Sequence, residues 1–315
     1  MKKNNLAGML MSDIRHRMGV TWKEMKKSKK SYLFILPFCL LFTLFYLVPV
    51  ATSIGLSFTY YNVLESPRFI GWQNYINLFF ADDVFLTAVK NTFLFAVVTG
   101  PIGYFAALII AWMINEIKNR FLRAFMTLVF YAPTISGQAY FIWKFIFSSD
   151  SYGLANGWLM KLGITFKPIL WFEDAKYIQP ILIVVVLWMS MGTGFLSFIA
   201  GLQNVDQSLY EAGYVDGVKN RFQELWYITL PSMKPQLMFG AVMTITSSFA
   251  IHDQLAALAG FPSVSYQAHT VVSHLVDYGT IRFEMGYASA IATLLFLTMV
   301  LCNTVVQKLL RKVGN

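Results

Sequence analysis

Six stretches of the chain stay apolar far longer than a soluble core requires, at about 33–60, 86–114, 121–147, 179–200, 236–258 and 286–308. A helix rises about 1.5 Å per residue, so about 20 such residues cross about 30 Å of hydrocarbon. An unpaired backbone group in lipid costs several kcal/mol, which leaves helices as the form these runs take. The pattern predicts an all-α integral membrane fold with six transmembrane helices across residues 33–310.

Polar and helix-breaking residues punctuate the runs. Pro37 and Pro49 sit in the first, Gly100-Pro101 in the second, and Pro133, Thr134, Ser136, Gly137 and Gln138 interrupt the third. The fourth carries Gly192, Gly194, Ser197 and Gly201, small residues that let helices approach closely. After the first run, "ESPRFIGWQNYINLFFADDVF" predicts a helix lying flat at the headgroups. The loop from Ser148 to Ile178 is long enough for docking, although its composition suits a capping loop equally. The largest polar island, "YEAGYVDGVKNRFQELWYITLPSMKP" from Tyr210 to Pro235, separates the fourth and fifth runs. It reads as two short helices broken at Gly217, with acids at Glu211, Asp216 and Glu224 and bases at Lys219, Arg221 and Lys234. Composition alone suits either a surface touched by another protein or an amphipathic loop resting on the bilayer.

Composition agrees with the membrane reading: 57% of residues are hydrophobic and 13% charged, against about 25% charged in soluble domains. With the N-terminus inside, the inner segments hold nine Lys and Arg (Lys2 to Lys30), then Lys118, Arg120 and Arg123, then Lys219, Arg221 and Lys234, then Lys308, Arg311 and Lys312. That is eighteen of twenty-five, so the positive-inside rule predicts both termini in the cytoplasm. The same distribution explains the net charge of +9 without nucleic acid, as inside bias and attraction to anionic lipid. Residues 1–32 form a basic cytoplasmic segment, and residues 311–315 a cytoplasmic tail. The first apolar run is too long for a cleaved signal and no small-residue cleavage pattern follows it, so it is predicted to stay as an anchor.

Little in the chain speaks for catalysis. Cys39 and Cys302 both fall inside spans, and no His spacing resembles a metal site. Phosphate-loop, nucleophile-elbow and zinc-protease motifs are missing, so any nucleotide must bind to another subunit. Counting about 1.5 Å per residue places Gln138 and Asp253 roughly 25 Å above the inner ends of their spans. Asn91, His252 and Asp253 form a candidate polar ring in the outer half, Ser190 and Thr193 lie nearer the midplane, and Tyr140 and Phe249 supply aromatic faces. Such groups suit a sugar, although His252 and Asp253 also suit the water boundary. A membrane enzyme would need more convergent chemistry than one His-Asp pair, and a channel a filter that this chain lacks.

"EAGYVDG" followed by "ITLP" closely resembles the EAA motif, E-A-A-x-x-x-G then I-x-L-P, of permease subunits in bacterial ATP-binding-cassette (ABC) importers. Glu211, Ala212, Gly217, Ile228, Leu230 and Pro231 match it. Gly213 stands in place of the second Ala, and ten residues, one more than usual, separate Gly217 from Ile228. "FILPFCLLFTLFYLVPVATSIGLSF", "FIGWQNYINLF", "VKNTFLFAV" and "FEMGYASAIATLLFL" extend the resemblance to carbohydrate permeases of the maltose and glycerol-phosphate type, while "LAALAGFP" is a degenerate form of their "LTxGGP". The resemblance implies a type I importer permease fold, multi-pass in the bacterial cytoplasmic (inner) membrane. It further implies a second, homologous permease, two cytoplasmic ATPase subunits holding ATP and Mg, and an external solute-binding protein delivering a sugar or oligosaccharide. Residues 206–235 become the coupling loop, with Glu211, Ala212, Gly213, Asp216, Gly217, Ile228, Leu230 and Pro231 meeting the ATPase. No catalytic or metal residue and no cofactor are expected in this chain, which is a transport subunit. A non-sugar solute such as a glycerol-phosphate compound is the alternative cargo.

Overall fold

The computed structural model describes residues 29–311, so most of the basic 1–32 segment and the tail beyond Arg311 lie outside the described residues. Its regular structure is helical apart from a two-residue antiparallel pair, β1 (Thr59–Tyr60) with β2 (Arg68–Phe69). The contacts divide the chain after Gly55.

The N-terminal unit is one helical rod, α1 (Lys29–Phe42) and α2 (Val48–Leu56) joined by a π turn at Thr43–Leu47, just before Pro49. Over Lys30–Leu56 it is apolar and long enough to cross a membrane. Phe38, Phe42 and Tyr46, four apart and therefore on one face, stack in sequence. The helix ends at Leu56, short of the predicted residue 60, because Thr59 and Tyr60 enter the strand pair.

The second unit contains α3 (Gln73–Phe80), α4 (Asp83–Asn115), α5 (Arg120–Ser136), α6 (Phe141–Ile146), α7 (Leu154–Lys161), α8 (Ala175–Trp188) and α9 (Thr193–Gln203). It continues through α10 (Gln207–Val215), α11 (Arg221–Glu224), α12 (Leu230–Ser232), α13 (Lys234–Phe249), α14 (Asp253–Ala259), α15 (Val271–Val276) and α16 (Met285–Leu310). Segments Asp83–Asn115, Ala175–Gln203 and Met285–Leu310 are long and apolar enough to cross a membrane, making four such segments with the N-terminal rod. The third and fifth predicted runs are instead helix, break, helix: α5 and α13 reach 17 and 16 residues before the chain turns.

Helices α4, α9 and α13 pack on one another through Ala107, Ala111, Phe195, Phe198 and Leu237. The approach is close enough that a Cβ on Gly240 would collide with the Phe198 ring. A second core gathers α8 and α14 with Phe95 and Tyr140, and a third joins α3, α4, α15 and α16 through Leu78, Phe85, Ala88 and Ile291.

Three breaks within the apolar runs organise this unit. At the first, Gly137 ends α5 in the left-handed region with φ of 65°. The second, Met189–Gly192, divides α8 from α9, and Thr134 Oγ1 of α5 donates to the carbonyls of Met189 (3.2 Å) and Met191 (3.0 Å). At the third, Ala250–His252, the Ile251 carbonyl accepts from Thr270 Oγ1 at 2.9 Å. Side-chain hydroxyls thus satisfy carbonyls freed by the interruptions, the condition under which irregular backbone is tolerated inside a membrane.

Candidate functional site

Local sequence dictates the shape of the 206–235 loop. Asp206 caps α10 by accepting from Ser208 N at 3.0 Å, and Asn220 caps α11 by accepting from Gln223 N at 2.9 Å. Between them Gly217 takes φ of 93°, a conformation that costs other residues, so the two short helices fold back at the predicted break. The fold is closed by Glu224, 4% exposed, which accepts from Tyr214 Oη at 2.8 Å and Arg221 Nη1 at 2.7 Å. Burial pushes the Glu224 carboxyl up, but the hydrogen bonds from Arg221 and Tyr214 outweigh it and hold the pKa below its ordinary value. The same bond to Glu224 raises the Tyr214 phenol and the Arg221 guanidinium. Arg221 also reaches Glu116, at the C-terminal end of α4, with Nε 3.4 Å from the carboxylate.

Both departures from the EAA pattern have a place in this geometry. Gly213 is buried, and a Cβ there would lie 2.5 Å from Ile228 Cδ1, so glycine lets Ile228 seat against α10. The longer spacing falls where Leu225–Thr229 forms a π turn, which takes up one residue more than an α turn. Glu211, Ala212, Asp216 and Gly217 are exposed, while Ile228, Leu230 and Pro231 are half-buried beneath them. Val215, Phe222, Trp226 and Tyr227 add an exposed apolar surface.

A second site lies at the breaks of the fourth and fifth runs, a cavity of about 300 Å³ lined by Thr99, Ser190, Thr244, Ser247, Ser248, Asp253 and Gln254 among others. Of the residues predicted for the solute path, Ser190 and Asp253 meet here. The others are placed differently. Gln138 is exposed in the first break and Thr193 exposed at the start of α9, neither lining the cavity. Tyr140 is buried against Phe141, and Phe249 is buried against Phe93. His252 pairs through Nδ1 with Ser273 Oγ at 2.9 Å. Asn91 is saturated: Nδ2 donates to the carbonyls of Tyr266 (2.7 Å) and His269 (3.0 Å), and Oδ1 accepts from Gln179 at 3.0 Å. Its side chain anchors the 260s loop instead of facing open space.

Sequence reasoning missed Thr99, which carries no signal of its own, and Thr244, Ser247 and Ser248, whose only signal is the "TITSS" run at 244–248. Such hydroxyls commonly bond back to their own helix, as Thr99 does to Phe95 O (2.7 Å) and Ser248 to Thr244 O (2.6 Å), so the residue type alone does not mark a site. Each retains acceptor capacity toward the cavity.

The N-terminal end of α4 carries a third polar cluster. Asp82 accepts from Phe85 N (2.8 Å) and Tyr287 Oη (2.9 Å), and its Oδ2 lies 3.0 Å from His274 Nε2. His274 Nδ1 is 3.2 Å from His269 Nε2. Among the described residues no three His, Cys, Asp or Glu side chains are grouped to hold a metal.

Residues 100–313 match the family described as binding-protein-dependent transport system inner membrane component. A probable ABC transporter permease of Bacillus subtilis, YesP, is 32% identical over 90% of this chain and 93% of its own. The arabinooligosaccharides transport system permease AraP of the same organism is 31% identical over 91% of each chain. The lactose transport system permease LacF of Rhizobium radiobacter is 33% identical over 71% of this chain and 74% of its own. In fold the chain is similar to a bacterial ABC transporter involved in the import of the acidic polysaccharide alginate, with a TM-score of 0.75 and 22% identity over 94% of this chain and 99% of that one. The chain therefore belongs to the binding-protein-dependent transport system inner membrane components, the multi-pass permease subunits of ABC transporters, which are not themselves enzymes.

Proposed function

We propose that this permease carries a sugar or oligosaccharide handed over by an external solute-binding protein, and that residues 206–235 couple it to ATP hydrolysis on separate subunits. One observation carries the reading: a loop closed by its own buried Glu224 presents Glu211, Ala212, Asp216 and Trp226 outward. A rigid, prefolded element with an apolar and charged outer face suits seating on an ATPase, because packed elements transmit movement as bodies. The chain spans the membrane six times with both termini inside, pairs with a homologous permease, and works with two ATPases that hold ATP and Mg.

The cargo assignment draws on the cavity and the relatives. Five hydroxyls, a carboxylate and an amide around about 300 Å³ offer many partners to a polyol. The lining contains no Lys or Arg, which favours a neutral sugar over a phosphorylated compound. AraP and LacF are named for arabinooligosaccharides and lactose, and a structural neighbour was solved in complex with an alginate pentasaccharide-bound periplasmic protein.

The test is reconstitution with the partner permease and ATPases. Gly217→Pro or Glu211→Lys is expected to insert and assemble while losing ATP-driven uptake. Uptake and ATP hydrolysis equal to the unmodified complex in either variant would refute the coupling role.

A further inference from the structure

We infer that the coupling loop and the inner end of α4 move as one body, with Glu116, Arg221, Trp112 and Phe222 as the positioning residues that join them. The inference rests on the coupling reading and deepens it by naming the element that receives the movement. Trp112 and Glu116 are four residues apart, on one face of the end of α4. They meet two consecutive residues of the loop: the Trp112 and Phe222 rings are 5.4 Å apart at their centroids, and Arg221 Nε lies 3.4 Å from Glu116.

Two contacts at adjacent points resist rotation in a way that one contact does not. The ion pair alone is weak, since Arg221 and Glu116 are 59% and 39% exposed, and exposed pairs contribute little. It gains meaning because Arg221 is fixed at its other end by the buried Glu224, and Glu224 is fixed by Tyr214. Both short helices of the loop are thus tied through one guanidinium to α4. That helix is 33 residues long, stays helical through Gly100-Pro101, and carries Thr99 of the polar cavity. Movement of the loop therefore reaches the cavity wall through α4 as well as through the chain connection into α13.

The experiment uses the complex assembled with its partner permease and ATPases, and compares the nucleotide-free form with the form trapped by ATP and vanadate. The readout is amide hydrogen exchange at the two breaks, residues 189–192 and 250–253. In one variant Trp112→Ala and Glu116→Gln loosen the junction from the α4 side, leaving the Arg221–Glu224 clasp of the loop intact. In another, with Cys39 and Cys302 replaced by Ser, Trp112→Cys and Phe222→Cys are bridged by a short bismaleimide. The loosened complex is expected to hydrolyse ATP while its exchange response to trapping falls about five-fold or more, the low end of a coupling free energy. The bridged complex is expected to keep the response. A bridged complex that hydrolyses ATP without any response at the breaks overturns the inference, as does a loosened complex responding like the unmodified one. If the unmodified complex itself shows no response, and Gly217→Pro changes neither uptake nor hydrolysis, the coupling reading has failed and this inference falls with it.

Discussion

Removing the guanidinium that Glu224 depends on tests whether the 206–235 loop is held by its own side chains. In Arg221→Ala, a carboxylate that is 4% exposed keeps only the Tyr214 hydroxyl as a side-chain donor. A hydrogen bond to a charged group contributes about 1.5–3 kcal/mol. Because Arg221 is 59% exposed, water repairs part of the loss, and the expected cost is about 1–2 kcal/mol. The double variant Arg221→Ala, Glu224→Gln removes the stranded charge as well, so its cost is expected to fall short of the sum of the single costs by about 1 kcal/mol. Whole-protein unfolding of a membrane subunit is a poor gauge here, and local opening is the relevant quantity. Hydrogen exchange over residues 207–230 reads it, with each 1.4 kcal/mol appearing as about a tenfold loss of protection. The effect also has a pH sign. A carboxyl held below its ordinary pKa stabilises the loop at pH above the unfolded value and stops doing so as pH falls through its folded value. The difference between Arg221→Ala and the unmodified protein should therefore shrink in acid. Loop exchange that is unchanged in Arg221→Ala at neutral pH, or strictly additive costs in the double variant, would refute the account of Glu224 as the clasp.

Three other outcomes follow from the same structure. Gly240→Ala pushes a methyl into the Phe198 ring between α9 and α13 and should cost about 1–3 kcal/mol of overpacking, seen as a lower thermal midpoint in detergent. Burial, helped by repulsion from His274, holds His269 at a pKa of about 4, so stability should decline as pH falls from about 6.5 toward that value; thermal midpoints at pH 7 and 5 should differ less in His269→Asn. Thr99→Val or Ser248→Ala, which trim the cavity's hydroxyls, should raise the sugar concentration needed for half-maximal uptake by about tenfold, the worth of one hydrogen bond, with basal ATP hydrolysis unaltered.

Hydrophobic run length was enough to identify a helical membrane protein, and turn and cap residues were enough to lay out the 206–235 loop, because both signals are local. Gly217 as the turn, Asp206 and Asn220 as caps, and the polar island itself all act within a few residues of chain, so residue type announces them. The three breaks were half legible. Pro133 and Gly137 mark the first and Gly192 the second along the chain, whereas Ala250–His252 has neither residue type, and the donors that make the breaks tolerable, Thr134 for the second and Thr270 for the third, come from other elements. The polar path was the least legible part. Asn91 looked like a lining residue and is consumed by the 260s loop, while Thr99 and Ser248, which nothing in the sequence singles out, line the cavity. The direction a polar side chain takes inside a bundle is set by which neighbour needs its hydrogen bond, and that neighbour lies elsewhere in sequence. The same holds for the junction of Trp112 and Glu116 with Arg221 and Phe222: helix periodicity puts the first two on one face, and only packing brings the loop to meet them.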